Sequence, residues 1–152
     1  MMDIHIIDDD AFVGDLHSNI AKSVGFSAKT FSCPDTYLKY MTSSEYSPPL
    51  LAILTDMEMP EMSGYELMEK VRGINPDQRF VVITGAPSIV PGIERACFYL
   101  EKPTSVRKLR MVFEALSKCI EVGFRPECMG TIFDDRSKFC VNGSRCPHYK
   151  EH

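Results

Sequence analysis

A chain of 152 residues with 44% hydrophobic side chains is long enough for one domain with a real core, and leaves room for an appendage. Its net charge of −4 and the lack of any Lys/Arg run give no indication of nucleic-acid binding. No apolar stretch approaches membrane-spanning length, and MMDIHIIDDD lacks a basic n-region and a cleavage site. A cytoplasmic protein with no membrane partner is expected, and in that reducing setting six cysteines are thiols or metal ligands before they are disulfides.

In chain order, Ile4, Ile6 and Ile7 form a first short strand that runs into Asp8, Asp9 and Asp10. Phe12, Leu16, Ile20 and Val24 recur every four residues, and Gly25 follows as a C′ cap, which predicts a helix over 11–24. Residues 26–31 read as a second strand. Ser32 or Cys33 with Pro34 opens a second helix carrying Tyr37, Leu38 and Met41, and 42–49 is loop. The apolar run Leu50, Leu51, Ala52, Ile53, Leu54 has the pattern of a strand buried on both faces in a parallel sheet, with Asp56 where the strand should stop. Pro60 and Gly64 break the chain beyond it, and Ser63 with Glu66 reads as a capping box for a helix through about Arg72. FVVIT at 80–84 is a fourth strand. Residues 96–100 are a fifth, ending at Glu101, Lys102 and Pro103, and Thr104 caps a last helix with Val106, Leu109, Phe113, Leu116 and Ile120 inward. Strands alternating with helices over about 120 residues predict a doubly wound α/β domain, a five-stranded parallel sheet with helices on both faces.

The carboxyl ends of the strands form the ligand crevice of such a sheet. Asp8 and Asp9 after strand one, Asp56 after strand three, Thr84 after strand four and Lys102 after strand five converge there. Clustered carboxylates suit a hard divalent ion such as Mg²⁺. A cation and a lysine neutralise a transferring phosphoryl group, a hydroxyl donates to one of its oxygens, and one carboxylate serves as nucleophile. That set points to phosphoryl transfer and an acyl phosphate product.

Five ordered pieces, namely DDD after strand one, D-x-x-M-P-x-x-x-G at 56–64, Thr84, Tyr99 and Lys102-Pro103, resemble the receiver domain of two-component response regulators over about residues 2–121. The resemblance implies a flavodoxin-like sheet in the order 2-1-3-4-5 and a receiver at 1–122. It implies Asp56 as the phosphorylated residue, with a histidine kinase, a phosphotransfer protein or a small acyl phosphate as donor. Mg²⁺ would be held by Asp9 and Asp56 directly, by Asp8 through water and by Glu58 through its carbonyl. Thr84 and Lys102 would hold phosphoryl oxygens, Lys102-Pro103 would be cis, and Tyr99 would be the switch aromatic whose movement gives the surface readout.

The same resemblance implies a signalling switch rather than a turnover enzyme, catalysing only its own phosphorylation and dephosphorylation. With no DNA-binding or catalytic module after it, a stand-alone regulator acting through a downstream protein partner is expected, either monomeric or dimeric on phosphorylation. Two departures stand out. Gly85 follows Thr84 where the family has alanine, and Pro87, Pro91 and Gly92 predict a short or irregular fourth helix that changes the face commonly used for dimers. Glu58, two residues past Asp56, puts a carboxylate near the phosphoryl group. A pseudo-receiver that does not use phosphorylation is the conservative reading. A haloacid dehalogenase-like phosphatase with Asp8 as nucleophile is the alternative enzyme, built on Asp8-x-Asp10 and the pair Asp134-Asp135, but Phe12 stands where that motif wants Thr or Val.

After Glu121 the periodicity ends. Residues 123–152 form an irregular Cys/His-rich extension, too small to fold on core burial alone. Cys128, Cys140, Cys146 and His148, spaced C-x11-C-x5-C-x-H, are four zinc-competent ligands, with Cys119 and His152 as alternates. An unligated tail, a disulfide or redox pair, and an iron–sulfur site are the other readings of this segment. They open a second hypothesis, a metal or redox sensing module with the receiver as scaffold. Cys33 and Cys97 read as ordinary buried thiols.

Overall fold

The structure is a computed structural model. It describes residues 3–49, 51–76, 78–85 and 96–122, with the backbone alone at 118–122. The expected fourth helix, the Cys/His-rich extension with Cys128, Cys140, Cys146 and His148, the alternates Cys119 and His152, and Asp134-Asp135 lie outside the described backbone or side chains.

The described elements run β1 (Asp3–Ile7), α1 (Ala11–Ser23), β2 (Ser27–Phe31), α2 (Pro34–Met41), β3 (Ala52–Asp56), α3 (Gly64–Ile74), β4 (Phe80–Thr84), β5 (Phe98–Glu101) and α4 (Val106–Val122). All strand pairings are parallel and the order is β2-β1-β3-β4-β5, as expected. Strict alternation along the inner strands splits the core into two layers. Ile4, Ile6, Ala52, Leu54, Val81 and Ile83 face α1 and α4, where Ile20, Ala21, Leu109 and Phe113 meet them. Ile7, Ile53, Phe80 and Val82 face α2 and α3, where Tyr37, Met41, Leu67, Met68 and Val71 meet them. β3 and β4 are buried at every position, which is why their sequences show no polar face. His5 lies buried in this second layer, its Nδ1 2.9 Å from the Tyr37 hydroxyl, and burial, its largest influence, lowers it to about 4, so the ring is neutral.

Several local expectations shift. β3 runs two residues later than the apolar run 50–54, and Asp56 is its last residue, where the strand was expected to stop. On α1, Phe12 is 79% exposed and Leu16 47% exposed, while Gly14, His17, Ser18, Ile20 and Ala21 are buried. A strict four-residue repeat turns about 40° per step relative to a helix of 3.6 residues per turn, so the stripe through Phe12 and Leu16 leaves the core. Gly25 ends α1 with φ of 94°, the left-handed conformation that the C′ position favours. α4 is opened by Ser105, whose Oγ accepts the Lys108 amide at 3.1 Å, rather than by Thr104, whose hydroxyl oxygen is buried without a hydrogen-bond partner among the described residues. Val106 is 49% exposed rather than inward. Cys33 is half-buried at the start of α2, its Sγ 3.7 Å from Glu61 Oε2, and only Cys97 is the buried thiol expected.

Candidate functional site

The parallel register brings the strand ends level. Ile7 lies opposite Thr55, Asp56 opposite Ile83, and Thr84 opposite Glu101. The ladder continues past the strands, with the Met57 amide donating to the Ile83 carbonyl at 2.9 Å and the Lys102 amide to the Thr84 carbonyl at 3.0 Å. Asp8, Asp9, Asp56, Thr84 and Lys102 are therefore delivered to one edge by backbone alone, at the β1/β3 switch point of the sheet.

The edge opens into a cleft of about 660 Å³ lined by Asp8, Asp9, Asp56, Glu58, Lys102 and His17, among others. Carboxylate oxygens of Asp8, Asp9 and Asp56 all lie within 4.8 Å of one another, an oxygen-rich set whose chemistry fits a hard divalent cation. Asp10 does not join them. Its carboxylate accepts the Phe12 and Val13 amides at 3.0 and 3.3 Å and caps α1, while its own amide donates to Asp8 Oδ1 at 2.9 Å. This removes the second acid of the Asp8-x-Asp10 pair that the phosphatase alternative required.

Asp56 is 4% exposed. Its Oδ2 accepts from Lys102 Nζ at 2.9 Å and its Oδ1 from the Glu58 amide at 3.1 Å. Burial raises its pKa most, repulsion from Asp8 adds to it, and the Lys102 and Glu58 donors oppose both, leaving it at about 6. Burial also raises Asp8. Lys102 is lifted above its ordinary value because its hydrogen bond and attraction to Asp56, with Asp8 and Glu58 behind, outweigh the effect of burial. Thr84, fully buried, donates its hydroxyl to Glu58 Oε1, and the Gly85 amide donates to the same oxygen at 3.3 Å. Burial pushes the Glu58 carboxyl up, but these hydrogen bonds outweigh it and hold the group below its ordinary value.

Gly64 explains the glycine of the loop after β3. A Cβ there would sit 2.8 Å from the Asp56 carbonyl oxygen and 3.0 Å from Met57 Cα, and the Gly64 amide closes the turn onto the Met57 carbonyl at 2.9 Å. Gly85 has open space at its Cβ position, so the departure from alanine there is not forced by crowding. Lys102-Pro103 is cis, as expected. Tyr99 is half-buried on β5 with Val82 beside it on β4.

His17 was not anticipated. It is 5% exposed and lines the cleft from α1, and burial, with the Lys102 charge second, holds it below its ordinary pKa. A Gly14, His17, Ala21 stripe at helical spacing would have found it, had the apolar repeat through Phe12 not been preferred.

Comparison with known proteins places this geometry. The response regulator receiver domain family matches residues 4–114. The transcriptional regulatory protein FixJ of Bradyrhizobium diazoefficiens is 23% identical over 130 residues, covering 83% of this chain and 62% of FixJ. The DNA-binding transcriptional regulator NtrC of Azospirillum brasilense is 25% identical over 115 residues, covering 73% of this chain and 23% of NtrC. The chain thus spans less than two thirds of the length of these relatives. A receiver domain protein from Clostridium thermocellum superposes with a TM-score of 0.69 at 23% identity, over 82% of this chain and 100% of that one. Full-length FixJ from B. japonicum does so with a TM-score of 0.69, over 80% of this chain and 60% of that one. Since the family match spans the sheet and every residue of the acidic cleft, the chain belongs to the response regulator receiver domain family.

Proposed function

We propose that this protein is a phosphorylation switch in which Asp56 accepts a phosphoryl group from a histidine kinase, a phosphotransfer protein or a small acyl phosphate. The observation that carries the reading is the setting of Asp56: a buried carboxylate gripped by Lys102 at 2.9 Å and drawn together with Asp8 and Asp9. With a pKa of about 6 it is largely ionised at pH 7 and so competent as a nucleophile. One Asp56 oxygen attacks phosphorus. An O–P bond forms, the P–N bond of a phosphohistidine or the P–O bond of an acyl phosphate breaks, and the electron pair leaves with the imidazole or the carboxylate.

Asp8, Asp9, Asp56 and the Glu58 carbonyl would hold Mg²⁺, which when bound would neutralise charge on the phosphoryl oxygens. Lys102 then turns from the Asp56 carboxylate to a phosphoryl oxygen, and the Thr84 hydroxyl donates to another. Drawing Thr84 inward makes room for Tyr99, which carries the change to the surface of β5, where a downstream protein partner reads it. The exposed Phe12 and Leu16, on the helix that carries His17 into the cleft wall, offer an apolar platform for a protein donor. Residues 123–152 are proposed as a separate zinc-binding extension through Cys128, Cys140, Cys146 and His148.

The test is intact-mass analysis after incubation with acetyl phosphate and Mg²⁺. One phosphoryl adduct is expected on the wild-type chain and none on Asp56→Asn. An adduct that survives in Asp56→Asn and is lost in Asp8→Asn overturns the reading.

A further inference from the structure

The cleft presents four donors to an anion: the Thr84 hydroxyl, the Gly85 amide, the Glu58 amide and Lys102 Nζ. The chain's own carboxylates already use all of them. The Glu58 amide and Lys102 are taken by Asp56 at 3.1 and 2.9 Å. The Thr84 hydroxyl and the Gly85 amide converge on one oxygen of the Glu58 side chain. Asp56 is the acceptor, so the two donors on its carboxylate already stand where the phosphoryl group arrives. The Thr84/Gly85 pair is different, because its occupant is a side chain with no part in bond making. Glu58 is an exposed residue that nonetheless gives up rotamer freedom to fold back across the cleft onto β4. A phosphoryl group on Asp56 brings three more oxygens into this space, and two negative groups cannot share one hydroxyl and one amide donor.

We infer that the Glu58 carboxylate is a built-in competitor for the phosphoryl subsite formed by Thr84 Oγ1 and the Gly85 amide, and that it must be displaced before Asp56 can be phosphorylated. This rests on Asp56 being the acceptor. Because the contact belongs to the unphosphorylated state, it slows formation of the phosphorylated state and leaves its decay largely untouched. The displaced carboxylate returns to solvent at the cleft mouth, so each phosphorylation event also moves one negative charge at the surface.

The experiment measures the rate of adduct formation with acetyl phosphate and Mg²⁺, and the rate of its loss after donor removal, for wild type, Glu58→Gln and Glu58→Ala. Circular dichroism checks that each chain is folded. Expected is faster formation in the order Ala, Gln, wild type, since Gln keeps an oxygen acceptor without the charge. The Ala variant should gain about tenfold, equivalent to about 1.4 kcal/mol, with loss changed far less. The gain should persist at 1 M salt, where the Debye length is about 3 Å and mere repulsion of the donor is screened. It should also shrink in a Thr84→Ala background, where one of the contested donors is gone. Unchanged formation, an effect on loss alone, or a gain that salt abolishes overturns the inference while leaving Asp56 as acceptor. Failure of both wild type and Glu58→Ala to form an adduct overturns the underlying reading as well.

Discussion

Replacing Asp56 by Asn should stabilise the fold near neutral pH in the absence of divalent cations. The carboxyl is raised from 3.8 to about 6, with burial as the largest cause, so the ionised form is held in the folded state at a cost. Between those two values the folded chain binds more protons than the unfolded one, and stability therefore falls as pH rises. About two pKa units at about 1.4 kcal/mol each set an upper bound of about 3 kcal/mol above pH 6. Asn keeps the acceptor for the Glu58 amide and leaves Lys102 with the charges of Asp8 and Glu58, so a gain of about 1–3 kcal/mol is expected at pH 7. The measurement is urea unfolding of wild type and Asp56→Asn with a chelator present, at several pH values from 4 to 8. The variant should gain little near pH 4, progressively more to about pH 6, and no more beyond. Mg²⁺ should narrow the gap at pH 7 by stabilising the wild type. A variant less stable than wild type at pH 7, or a gain independent of pH, would show that the strain does not reside in this carboxylate.

Mg²⁺ should raise the thermal midpoint of the wild type in proportion to RT ln(1 + [Mg²⁺]/Kd), and Asp9→Asn should lose most of that response while folding normally in chelator. An equal rise in both chains would place the cation elsewhere. Gly64→Ala should cost about 1–3 kcal/mol, because the new methyl meets the Asp56 carbonyl and Met57 Cα, both backbone, at 2.8 and 3.0 Å. Gly73→Ala, with open space around its Cβ position, serves as the control and should be neutral or stabilising in equilibrium unfolding. Elemental analysis of the reduced, untagged chain should find about one zinc per chain, lost in a Cys140→Ser/Cys146→Ser variant. No metal, together with disulfide formation on mild oxidation, would make the extension a redox input instead.

Much of this protein is legible from residue order alone, for a physical reason. Strands buried on both faces have to be apolar throughout, so Ile53, Leu54 and the FVVIT run announce a parallel sheet without reference to anything distant. Residues that end such strands have to stand at one edge, so Asp8, Asp56, Thr84 and Lys102 are collected by topology, as the register of Asp56 and Thr84 and the ladder bonds from the Asp8 and Lys102 amides show. Local chemistry is equally readable where one residue acts on its neighbours, as Ser63 does in capping α3 and Gly25 in ending α1. What only the tertiary structure decided is where a side chain goes when several partners compete for it. Asp10 belongs to a run of three acids, yet its carboxylate caps α1 while Asp8 and Asp9 face the cleft. α1 turns on its axis until Phe12 and Leu16 lie outside and His17 lies in the cleft wall, a choice set by packing against β1, β2 and α4 rather than by the helix's own pattern. Glu58 shows the limit most plainly. Its place two residues after Asp56 follows from the sequence, but its grip on Thr84 and Gly85, 26 and 27 residues away, exists only because β3 and β4 pair side by side and bring the two loops together.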